Sequence, residues 1–215
     1  MQFSIKKQFI AVLLFLIASP LLATTHFFQQ GESGFLTSLG YGTQQGTSTF
    51  PAVAIGYVWG GTFELEAAYS STQTSTATYS SYALQLAYGF IKQSQETPFS
   101  LEGTLVLGSV ITVYDSVDYW GSYPIIPMPQ RDNKISSLGL SIGRIENLNE
   151  NSRILYMIGL ANNSIEDEAD FVSLSTGTAY LYDISKNLTL IGDASLAMST
   201  YPSVFGVSLG VKYKL

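Results

Sequence analysis

The sequence predicts a closed antiparallel transmembrane β-barrel of ten strands, preceded by a cleaved signal peptide. Three observations predict it. Bulky apolar residues alternate with small or polar ones in segment after segment beyond residue 34, the two-residue period of strands with unlike faces. Charged residues are only 12% and mean hydropathy is +0.21, yet only one stretch is apolar enough to resemble a membrane helix. Short and long connections alternate along the chain, as they do when every second turn lies on the same side of a membrane.

Residues 1–23 read as the signal. Lys6 and Lys7 form the basic region, Phe9 to Ile17 the apolar region, and Ala18, Ser19 and Ala23 supply small residues near a cleavage point after Ala23. Pro20 breaks an apolar stretch already short for a spanning helix. Leu21 fits the −3 position poorly, and an uncleaved anchor is the alternative. Cleavage leaves eight basic and sixteen acidic residues, a formal charge of −8, which opposes a nucleic-acid partner held by phosphate contacts. With no cysteine, a disulfide framework, a thiolate metal site and lipoprotein acylation are excluded. Residues 24–34 read as an N-terminal periplasmic segment and 35–215 as the barrel.

The strands are expected at 35–42, 50–59, 63–70, 79–90, 98–113, 134–145, 153–161, 171–183, 188–200 and 203–215. The last is the clearest. Phe205, Val207, Leu209, Val211, Tyr213 and Leu215 share one face, and Gly206, Ser208, Gly210, Lys212 and Lys214 the other. A soluble sandwich would turn such apolar rows into a shared dry core. A membrane barrel turns them to lipid and lines its lumen with the small polar face. The segment 153–161 is less regular, because Leu155 and Met157 make its second face apolar too. It and the first strand are the two whose loss would give eight strands.

Gly60-Gly61, Ile91–Thr97, Glu146–Ser152 and Ile184–Asn187 are the short turns. Keeping Trp59 and Phe63 on one face needs an odd loop, which Gly60, Gly61 and Thr62 supply. Trp59, Phe63, Tyr88, Phe90, Phe99, Tyr182 and Tyr213 lie on the apolar parity beside these turns, the placement of an aromatic girdle at a membrane interface. Tyr41, Tyr69, Tyr82 and Tyr201 mark the other interface more sparsely.

At the C-terminus Gly210, Tyr213 and Leu215 resemble the Gly-x-x-aromatic-x-hydrophobic assembly signal of outer-membrane barrels, with Leu209 where a polar residue is usual and a final Leu in place of Phe. With this signal and the strand pattern, the mature chain resembles the small outer-membrane β-barrel superfamily of the OmpA, OmpX and opacity-protein type. The resemblance implies residence in a Gram-negative outer membrane, contact with its lipids and lipopolysaccharide, and insertion by the barrel assembly machinery. It also implies a role as surface antigen, adhesin, structural barrel or porin-like narrow pore. No peptidoglycan-binding domain is expected after the last strand.

Parity puts Glu64, Glu66, Glu102, Arg153, Lys212 and Lys214 in the lumen near the periplasmic end, with Asp193 further up. Charges in a narrow barrel need partners, so one salt-bridge cluster is expected there, as a structural plug or as a gate or cation-selective constriction. The only histidine, His26, reads as a flexible residue ahead of the first strand. That placement, far from the outer rim, argues against a hydrolase built on a histidine. No metal or cofactor is expected. Among the longer connections, 114–133 carries Tyr119, Trp120, Tyr123, Ile125, Ile126 and Met128 between prolines. It reads either as a surface for an extracellular protein ligand or as a segment folded over the mouth. The acidic run Glu166–Asp170 reads as a solvated loop or a divalent-cation site. The expected function is therefore a non-enzymatic surface barrel, with a narrow pore as the alternative and a rim hydrolase as a distant third.

Overall fold

The computed structural model describes residues 25–44, 50–73, 77–114, 131–200 and 203–215. The predicted signal, the six apolar residues of the 114–133 loop and Tyr201 lie outside the described residues. Ten strands follow in order: β1 (Gly34–Gln44), β2 (Phe50–Trp59), β3 (Phe63–Gln73), β4 (Ala77–Ile91), β5 (Ser100–Tyr114), β6 (Arg131–Asn149), β7 (Ser152–Ile165), β8 (Phe171–Asp183), β9 (Leu188–Ser199) and β10 (Val204–Lys214). Each pairs antiparallel with its chain neighbours, and β1 closes the barrel on β10 from Gly34↔Lys214 to Gln44↔Val204. Closure leaves no strand edge with unpaired amides. The eight-strand alternative is excluded, since β1 and β7 each carry full ladders on both sides.

Strands run past the expected ends mainly at the loop end. β6 begins at Arg131 and continues to Asn149, with a register shift between Asn147 and Asn149. Ladder hydrogen bonds join backbone groups whatever the side chain, so pairing continues beyond the apolar span that marks a strand in sequence.

The parity is as expected. Leu209 is 74% exposed on the outside, and Glu64 is 0% exposed on the inside. Outward residues such as Leu39, Ile55, Leu107, Leu138, Leu160 and Phe205 form an apolar wall around the barrel. An exposed apolar surface of that extent requires a non-aqueous surrounding. No helix among the described residues is long and apolar enough to cross a membrane; the strands cross it instead.

The short turns gather at one end, with Gly34 and Lys214, the paired ends of β1 and β10. In the β2–β3 turn the Thr62 amide donates to the Trp59 carbonyl at 3.0 Å. Gly60 and Gly61 take φ of +56° and +66°, a region that side chains with a Cβ avoid. Trp59 and Phe63 then face each other directly, rings 5.5 Å apart.

Candidate functional site

The lumen at the turn end is not open. Thr25–Phe27 form one 3-10 turn, and with Phe28 they are buried inside the barrel. Phe27 and Phe28 pack on an apolar patch made by inward-facing Leu36, Val58, Leu155, Ala179, Leu181 and Ile191. Burying each ring contributes on the order of 2–3 kcal/mol. This explains the irregular inner face of β7: Leu155 points inward because it meets the plug, not water. The expectation of a flexible His26 is corrected by this packing, as is any picture of residues 25–28 as a free periplasmic leader.

His26 is 4% exposed. Its Nδ1 lies 2.5 Å from the Ser100 hydroxyl and its Nε2 3.0 Å from the Ser141 hydroxyl. Ser100 donates to the Gly143 carbonyl at 3.2 Å. Its oxygen is thus left to accept from Nδ1–H, and Ser141 donates to Nε2. Burial, and then the positive charge of Lys92, push the imidazole down to about 3, so it is neutral at physiological pH. Two glycines make room for the turn. A Cβ on Gly143 would lie 3.0 Å from the His26 ring, and one on Gly89 would lie 3.0 Å from Thr25 Oγ1.

The lumenal charges do not form one cluster. Lys212 and Lys214 both bind Glu32, each at 3.0 Å. The Lys212 ammonium also donates to the Phe27 carbonyl and sits 4.3 Å over the Phe28 ring, tying the plug to β10. Arg153 pairs with Asp183 at 2.7 Å. Burial alone would raise the Glu32 carboxyl, but the Gln29 amide and the two lysines overrule it and hold it at about 2.

Glu64, Glu66 and Glu102 stand apart, on β3 and β5 across Ala87 and Gly89 of β4. They lie close enough to repel one another. Among the described residues no ion pair joins them to Arg153, Lys212 or Lys214, which correct the expectation of one salt-bridge cluster by choosing Glu32 and Asp183. The physical reason is the plug, which fills the lumen between the two groups. Asp193 accepts a hydrogen bond from Ser208 and lies four residues from Thr189 of the floor, about 13 Å along the strand.

Sequence reasoning missed Glu32, Lys92, Asp183 and the plug. Glu32 and Asp183 share the lumenal parity of β1 and β8, so parity alone could have found them. Lys92, just past β4, donates to the Thr25 carbonyl at 2.6 Å. Burial pushes its ammonium down to about 8 against the pull of Glu102 and Glu64. Below the floor an open mouth of about 620 Å³ is bounded by Glu32, Arg153, Asp183, Lys186 and Lys214.

Trp59, Phe63, Tyr88, Phe90, Phe99, Tyr182 and Tyr213 are all exposed on the outer wall. Tyr57–Trp59 and Tyr88–Phe90 are in ring contact at 4.6 and 5.3 Å. Gly210 faces the lumen opposite Ser38, Tyr213 faces outward opposite Phe35, and the Leu215 amide donates to Ser33 at 2.9 Å.

No protein-family model matches the chain, and no curated protein matches it in sequence. Among solved structures it is similar to the translocator domain of autotransporter NalP from Neisseria meningitidis, with a TM-score of 0.53 and 12% identity over 93% of this chain and 95% of that one. It is also similar to the beta domain of the Bordetella autotransporter BrkA, with a TM-score of 0.51 and 10% identity over 87% of this chain and 100% of that one. At these identities the likeness is one of fold. With its closed ladder and apolar outer wall, the chain has the fold of the small outer-membrane β-barrels.

Proposed function

We propose that the protein is a sealed, non-enzymatic outer-membrane barrel that works through its outer loops, as a structural or adhesive surface protein of the OmpA, OmpX and opacity-protein kind. The observation that carries this reading is the plug: Phe27 and Phe28 are each 2% exposed inside the lumen, held by Lys212 and the apolar patch. A barrel closed by packed aromatic rings passes no hydrated ion. Hydrolysis is disfavoured too. Ser141 and His26 are hydrogen-bonded to each other but both buried, and Glu102 is bonded to Thr25 rather than to the imidazole. The partners of this reading are outer-membrane lipid and lipopolysaccharide at the aromatic girdle, the assembly machinery at Gly210, Tyr213 and Leu215, and an extracellular protein at the 114–133 loop.

Planar-bilayer conductance tests the seal. The native barrel is expected to be silent, and deletion of residues 25–28 to open steps of current. Steady conductance by the native barrel would support instead a narrow pore, the reading favoured by the serine and threonine lining at Thr104, Ser137, Ser141, Ser175 and Ser195. Deletion of 114–133 is expected to abolish cell adhesion while leaving the heat-modifiable gel shift intact.

A further inference from the structure

We propose that the outer wall seats one phospholipid with an ethanolamine headgroup at the turn end, its phosphate on Arg144, its ammonium on Glu146 and an acyl chain in a groove beside Gly103. The inference narrows the lipid contact of the proposed function to one headgroup. It rests on the barrel's placement in a membrane, not on whether its lumen conducts.

Strand β6 runs from the loop end to the turn end, and Leu140, Ile142, Arg144 and Glu146 all face outward on it. Gly143 pairs with Ser100, which brings Arg144 level with Phe99 of the aromatic girdle, where the wall meets headgroups. Arg144 and Glu146 pair at 2.9 Å, with 58% and 44% of their side chains exposed. An exposed pair contributes little to stability, so exchanging its partners costs little. The backbone beneath it is fixed. Between the two charges, the Ile145 amide donates to Gln93 Oε1 and the Ile145 carbonyl accepts from Gln93 Nε2, both at 2.7 Å. The turn after β4 thus holds β6 where its ladder with β5 has ended.

Toward the bilayer centre the wall is indented. An apolar groove of about 530 Å³ crosses the strands where Phe63, Tyr88, Gly103, Leu140 and Leu160 follow one another in register. Gly103 leaves its floor without a side chain, and the Phe90 ring leans over it: a Cβ there would meet that ring at 2.7 Å. Leu140 lies four residues from Arg144, about 13 Å along the strand. From the centre outward the order is apolar groove, cation, anion. An ethanolamine phospholipid has the complementary order: acyl chain, phosphate, ammonium. Both of its charges then gain charge-assisted hydrogen bonds. A glycerol headgroup offers Arg144 its phosphate but leaves Glu146 without a cation.

The test uses the full barrel, reconstituted in vesicles holding equal parts of ethanolamine and glycerol phospholipid with the same acyl chains. Heat-modifiable gel mobility reads folding. After extraction into mild detergent, native mass spectrometry counts the lipid retained. One ethanolamine lipid is expected per barrel, about fivefold over the glycerol lipid. Arg144→Glu/Glu146→Arg keeps an ion pair but reverses its order, and is expected to abolish the preference. Gly103→Leu fills the groove and is expected to lower retention of either lipid. Equal retention of the two lipids by the native barrel, or a preference that survives the reversal, would overturn the proposal with the membrane reading intact. Unchanged retention by Gly103→Leu would overturn the seat in the groove. A barrel that does not fold in vesicles would overturn the membrane placement and the site with it.

Discussion

Two sides of the lumen floor are built from the same kinds of residue, and their charges are met differently. On the β7–β10 side, Arg153, Lys212 and Lys214 each find a carboxylate within 3.0 Å. Those partners, Glu32 and Asp183, lie just before a strand and at a strand end. On the β3–β5 side, Glu102 accepts from Thr25 of the plug, both oxygens of Glu64 lack a partner among the described residues, and Lys92 acts from farther off. The first side pairs its charges side chain to side chain, with Lys212 also tied to the plug at the Phe27 carbonyl. The second is met in part by the plug, through Thr25 on Glu102. The contrast shows that a barrel lumen can be closed by whatever segment enters it, not only by residues on its strands.

The comparison breaks most visibly if the plug is removed. Phe27→Ala with Phe28→Ala is expected to cost roughly 3–5 kcal/mol per ring and to open the barrel to ions, read by urea unfolding and by bilayer conductance. Lys212→Met comes next. It strips the cation from the Phe27 carbonyl and from Glu32, and breaking a buried pair is expected to lower stability by about 3 kcal/mol. Glu64→Gln, on the opposite side, is expected to be within about 1 kcal/mol of the parent or more stable, because it removes a carboxylate in excess. Equal losses for the two would erase the distinction between the sides.

Acid sharpens the comparison further. His26 has a folded value of about 3, below its ordinary 6.5, so the unfolded chain binds the extra proton and stability falls as pH drops from about 6.5 toward 3. Glu32, held at about 2 against an ordinary 4.5, contributes stability that is complete above 4.5 and is lost as pH falls through 2. The urea midpoint of the native barrel is expected to decline across the first window, and His26→Gln to decline less between pH 6.5 and 4.5 while keeping the loss below 4.5. The smallest effect is expected for Lys214→Met. Its side chain is partly exposed and shares Glu32 with Lys212, so the loss is expected to stay under about 1 kcal/mol.

The strands were legible because the outer wall imposes a period of two: Phe205 to Leu215 announces its face without help. The positions of Glu64, Glu66, Glu102 and Lys212 inside followed from the same parity. Their partners did not, since parity gives a side chain's direction but not what enters the lumen from outside the strands. Thr25–Phe28 carry no periodic signal, and two phenylalanines after a signal peptide look like leader. The trace they left was on their receptors. Leu36, Val58, Leu155, Leu181 and Ile191 are large apolar residues gathered on the inward face around the plug, and such residues need an apolar partner inside the barrel.

The sealed floor is tested most directly by cysteine accessibility, since the chain has no cysteine of its own. His26→Cys is to be treated, folded in membranes, with a charged maleimide presented on both faces, and Ser185→Cys in the exposed turn serves as the reference. Residue 26 is expected to stay unlabelled until the barrel is heat-unfolded, while residue 185 labels at once. Labelling of residue 26 in the folded barrel as fast as residue 185 would show that the N-terminal turn is not packed inside the lumen.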